Sequence, residues 1–123
     1  MTNPAGDGVV WIDSGHFSPP TTAQQIRQKL DQSLTAEYPD TRTCPNTTTT
    51  TGSVGGVSGI WWQVCFTLVQ GGQSFAAEMT EFAATNSAGG VGYFMQVFTL
   101  ASRMSAFFND AKPLLASVQW KLK

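Results

Sequence analysis

His16 is the sole histidine of the 123-residue chain, and Asp13-Ser14-Gly15-His16 is its nearest approach to a ligand set or a catalytic dyad. Two such groups in a loop hold a divalent ion only weakly, because a stable site needs about four ligands. A Ser/His/Asp triad can be assembled on paper from Asp13, His16 and a serine. No serine stands in a Gly-x-Ser-x-Gly elbow, however. The cluster therefore reads as a histidine beside a turn-forming aspartate. Glu78 and Glu81 lie three apart, which on a strand sends them to opposite faces. Hydrolysis by paired carboxyls needs both across one cleft, so these two read as solvated charges. Gly89-Gly90-Val91-Gly92 lacks the lysine and the strand-loop-helix setting of a phosphate loop and reads as a turn. No cofactor or metal site is expected.

Cys44 and Cys65 are too few for a metal cluster and form no Cys-x-x-Cys pair. Their midpoint falls between Val54 and Gly55. A hairpin turning near Gly55-Gly56 would face one across to the other, at a separation a disulfide can close. The bridge is the favoured reading, with two reduced thiols as its alternative; a bridge implies an oxidising compartment. Charged residues make up only 12% of the chain and the net charge is -1, which leaves no basic patch for nucleic acid. No apolar run reaches the roughly 20 residues of a membrane span. The first residues lack the charged and apolar regions of a signal peptide. A removed leader or an upstream domain ahead of Met1 is the expectation that fits export to the periplasm or secretion.

The positioning elements follow from periodicity. One domain, 1–123, is expected, with 1–7 flexible and a Thr/Gly-rich hairpin at 46–58. Residues 8–12 suit a short strand and 13–20 a turn and loop. A helix is predicted from Thr21 or Thr22, with Gln24 or Gln25 completing a capping box. Its stripe is Ala23, Ile26, Leu30, Leu34 and Tyr38, and Pro39 ends it. Residues 59–70 form a strand, closed by Gly71-Gly72. Residues 73–85 fit either period, and their place between two Gly-Gly turns decides for a strand. Residues 91–102 are a third long strand. A last helix follows with Met104, Phe107, Phe108, Ala111, Leu115 and Val118 on one stripe, and Pro113 must sit in its first turn or kink it. The strands at 59–70 and 91–102 are apolar on both faces. The expected fold is therefore α+β, a mostly antiparallel sheet with one helix packed on each face. Trp61 and Trp62 then point to opposite layers, and both are core.

Four stretches resemble the PsbP-like superfamily of α/β/α sandwiches: "PPTTAQQIRQKLDQSLTAEYPD", "GIWWQVCFTLVQGGQSF", "GGVGYFMQVFTLAS" and "FFNDAKPLLASVQW" with its Ser117, Val118 and Trp120 ending. That group includes an extrinsic photosystem protein, a Ran-binding nuclear import factor and small exported bacterial domains, some of them C-terminal to zinc metallopeptidases. The Thr-rich hairpin and the cysteine pair are not features of it. The resemblance implies a non-catalytic domain that binds a partner protein or a small apolar ligand, through motifs that are packing patterns. The surface expected to do this gathers Trp11, Phe17, Tyr93 and Trp120 beside the Thr-rich hairpin. Two other classes remain in view: a virion or assembly protein of the tail or head-completion type, and a small hydrolase or metal-dependent enzyme using His16.

Overall fold

The computed structural model describes residues 8–116 and Trp120. Strand β1 (Gly8–His16) leads to helix α1 (Ala23–Glu37), then to β2 (Arg42–Thr43), β3 (Thr50–Val54), β4 (Val57–Gln70), β5 (Gln73–Thr85) and β6 (Val91–Leu100). A 3-10 turn (Ala101–Arg103) opens into α2 (Met104–Ala116). The six strands form one sheet in the order β1-β6-β5-β4, with β2 and β3 both on the far side of β4, and every pairing is antiparallel. The α+β class and the strand at 73–85 are as expected. The expectation for residues 1–7 lies outside the described residues, as do those for Ser117, Val118 and the Leu115 side chain.

Thr22 caps α1: its hydroxyl accepts from the Gln25 backbone N–H at 3.2 Å, and the Gln25 side chain accepts from the Thr22 N–H at 3.1 Å. Tyr38 closes the helix and its ring stacks on Phe66, centroids 4.4 Å apart. Just beyond, Asp40 accepts from the Thr67 N–H at 3.1 Å and from its hydroxyl at 2.6 Å. These bonds hold its carboxyl below the usual carboxylate range. Gly55 and Gly56 take φ of 58° and 81°, and Gly71 and Gly72 take 58° and 78°. Two consecutive positive φ values are what a two-residue hairpin turn requires.

Two expectations about the strands change. Asp13, Ser14 and His16 are not loop residues: β1 runs on to His16, opposite Val91, because β6 offers it a partner over its whole length. Cys44 and Cys65 are joined as a disulfide, with Cα atoms 5.1 Å apart, but they are not direct cross-strand partners. Arg42 faces Cys65 and Thr50 faces Trp61. Eight residues on one side thus match four on the other, and the excess turns out at Pro45-Asn46, where Asn46 has φ of 60°. Pro113 lies beyond the first turn of α2, so its missing N–H leaves the Asn109 carbonyl without the usual helical donor.

The buried apolar residues divide into two clusters. One joins Met104, Phe107 and Ala111 of α2 to Val10, Phe82, Tyr93, Met95 and Val97. The other joins Ile26 and Leu34 of α1 to Trp62, Val64, Phe66, Met79 and Ala83. Adjacent residues Phe82 and Ala83 fall in different clusters, as strand alternation requires of a sheet buried on both sides. Trp62 is 2% exposed in the α1 cluster. Trp61 is half-buried on the opposite side, its ring 5.1 Å from Phe82 and 6.1 Å from Phe108.

Candidate binding groove and a buried carboxyl

An α-helix about 10 Å across covers roughly two strands spaced about 4.8 Å apart. Helix α1 packs chiefly over β5, and Phe94, Gln96 and Phe98 of β6 remain half-buried beside it. A groove of about 400 Å³ results, lined by Trp11, Leu30, Leu34, Met79, Phe94 and Gln96. Asp13 and Glu37 add acidic groups to its lining. Trp11, at the sheet margin, is 44% exposed, and its ring lies 6.2 Å from that of Phe98. A wider depression of about 750 Å³ is lined by residues of α1 alone, so no second element closes over it.

Behind the groove floor lies a polar cluster within the α1 side of the core. Glu81 faces Trp62 across β4 and Gln96 across β6, which puts the three side chains in one row beneath α1. Glu81 is 0% exposed. Its Oε1 accepts from Gln96 Nε2 at 2.8 Å, while Oε2 is buried without a hydrogen-bond partner. From the helix, Asp31 accepts from Trp62 Nε1 at 3.2 Å on Oδ1 and meets Arg27 Nε at 3.6 Å on Oδ2. Arg27 also lies over the Trp62 ring, 5.0 Å from its centroid, and donates to the Thr49 hydroxyl at 2.6 Å. Burial pushes the Glu81 carboxyl up to about 8, opposed by the Gln96 bond, aided by the neighbouring Asp31 carboxyl and opposed more weakly by the Trp62 indole.

The four expected surface aromatics do not form one patch. Trp11 lines the groove. Phe17 is half-buried against the α1 cluster, with Lys29 Nζ 5.6 Å from its ring centroid. Tyr93 and Trp120 are core residues of the α2 cluster, their rings 5.0 Å apart. Alternation turns Tyr93 away from α1, and the Trp120 indole N–H is satisfied by the Val54 carbonyl at 2.9 Å. Trp120 thus meets the Thr-rich hairpin, but from inside.

His16 is exposed at the end of β1, and strand parity sends Asp13, three residues earlier, to the other face. Glu78 and Glu81 do face opposite ways, as expected, yet Glu81 is no solvated charge. It shares parity with the apolar Ala77, Met79 and Ala83, and this pattern was the available signal for its burial. Among the described residues, one group has metal-ligating atoms within 4.8 Å of one another: Cys44, Cys65 and Glu78. Both of its sulfurs are in the disulfide, which removes them as thiolate ligands. No helix among the described residues is long and apolar enough to cross a membrane. The chain matches no protein-family model and no curated protein sequence.

Proposed function

We propose that this chain is a non-catalytic, exported domain of the PsbP-like kind, with one helix on each face of its sheet, that holds a small apolar ligand between α1 and β1. The observation that carries the reading is the groove, about 400 Å³ and mostly apolar, with Trp11 exposed along it. That size falls within the range of small-molecule sites. The Cys44–Cys65 bridge supports an oxidising compartment. The test is titration with the neutral apolar fluorophore N-phenyl-1-naphthylamine. Saturable one-to-one binding, weakened at least tenfold in Trp11→Ala, is expected. No saturation, or equal affinity in the variant, overturns the reading.

A second reading, an assembly protein, draws on a separate observation. Trp11 and Ile12 are consecutive, so they face opposite sides of the sheet, and both are exposed, at 44% and 37%. A strand laid beside β1 would cover both along the open edge of the sheet, although Ile12 also lines the groove. A stable oligomer by mass measurement in solution, lost in Ile12→Asp, supports it; a monomer at high concentration removes it.

A further inference from the structure

Glu81 poses a problem that the groove does not solve. A fully buried carboxyl has one oxygen bonded to Gln96 and the other without a hydrogen-bond partner. Leaving such an oxygen ionised and unpaired is costly. The groups that face it can be named element by element. Helix α1 brings Asp31 and Arg27, and the Arg27 cation is engaged by Asp31 Oδ2 and the Trp62 ring. Strand β4 brings Trp62, whose indole N–H is engaged by Asp31, and β6 brings Gln96. Asp13 and Glu37 lie further off, along the groove. No cation is left over for Glu81 in this set, and the neighbouring carboxylate is a second acceptor.

We propose that a single proton held on Glu81, and donated in a hydrogen bond to Asp31, latches α1 to the sheet. With that proton in place, Glu81 donates to Asp31 through Oε2 and accepts from Gln96 through Oε1. Trp62 and Arg27 serve the two Asp31 oxygens. One chain of bonds then runs from β6 through β5 to α1, with every buried oxygen satisfied. Lifting α1 admits water to Glu81, which then ionises as an ordinary carboxyl and releases the proton. The latch is therefore proton-linked: opening is rare in acid and becomes more frequent as pH rises, until Glu81 ionises even in the closed form.

The test is amide hydrogen exchange of α1 in the full chain, corrected for intrinsic pH dependence, together with ¹³C labelling of the glutamate side-chain carboxyls. Protection of α1 is expected to fall about tenfold per pH unit from about pH 5, levelling off near pH 8. In Glu81→Gln the fall should vanish, because a neutral amide can donate to Asp31 at any pH. The labelled carboxyl of Glu81 in the unsubstituted protein should titrate well above the ordinary carboxylate range, and Asp31→Asn should lower its midpoint. This last measurement stands even where a variant folds poorly. A Glu81 carboxyl that titrates with the exposed glutamates overturns the proposal, as does an equal pH slope in Glu81→Gln.

Discussion

Trp62 Nε1 donates to Asp31 Oδ1 at 3.2 Å, so an indole from the sheet and a carboxylate from the helix hold α1 and β4 in one register. A ring brought into the core for its apolar area thus also carries the polar end of the contact.

Replacing Trp62 with Phe keeps most of the buried ring surface and removes the donor. The cost should be about 1–3 kcal/mol, because Asp31 loses a partner in a partly buried setting. Trp61→Phe, at a half-buried site on the other side, should cost less. Urea unfolding of both variants checks the order, and equal costs would mean that the indole bond contributes nothing.

Stability should fall from acid to mildly alkaline pH. The folded value of Glu81, about 8, lies above its ordinary 4.5, so the folded protein holds a proton that the unfolded chain releases. The stabilisation is complete below pH 4.5 and is lost progressively up to about pH 8, at no more than about 1.4 kcal/mol per unit. Asp40 works oppositely but below its ordinary value of 3.8, outside this window. Denaturant unfolding between pH 5 and 8.5 measures the slope, and Glu81→Gln should flatten it.

Removing the Cys44–Cys65 bridge by a double alanine substitution should cost about 3 kcal/mol, the expectation for a separation of 21 residues. The loss should concentrate in β2 and β3, which pair with β4 alone, and spare the β1–β6–β5 pairing. Hydrogen exchange mapped by strand distinguishes this from uniform loosening. A change in unfolding free energy below about 0.5 kcal/mol would contradict it.

Two glycines in strands should behave differently. A Cβ at Gly59 would strike the Ala83 carbonyl oxygen and lie 2.7 Å from Ala84 Cβ, in packed backbone that cannot easily give way. Gly59→Ala should therefore destabilise by about 1–3 kcal/mol. At Gly15 an added Cβ meets nothing within 4 Å, and Gly15→Ala should be neutral or slightly stabilising. Thermal unfolding of the pair is sufficient, and similar shifts would argue against this packing.

Much of the fold was legible in the residues. The Thr22/Gln25 box, the Ile26–Leu30–Leu34 stripe and the Gly-Gly turns are local signals, set by dihedral preference and by short-range hydrogen bonds. The choice of strand over helix at 73–85 rested on its flanking turns, and pairing with both β4 and β6 agrees with it. The extent of β1 was not legible, because Asp13-Ser14-Gly15-His16 has turn chemistry, and only β6 alongside keeps it extended. The Cys44–Cys65 pairing was anticipated from a simple hairpin, although the actual register breaks at Asn46.

The candidate site divides in the same way. Trp11 could be singled out by type, but Tyr93 and Trp120 have the same chemistry and ended in the core, since burial depends on which face a strand presents and what lies over it. Composition and periodicity by themselves determined an antiparallel sheet with two helices and two apolar sides. Tertiary structure alone decided that Asp31, fifty residues before Glu81, would stand over it. Strand register and helix placement are set by the sum of distant contacts, and a carboxyl's proton affinity follows from the surroundings those contacts create.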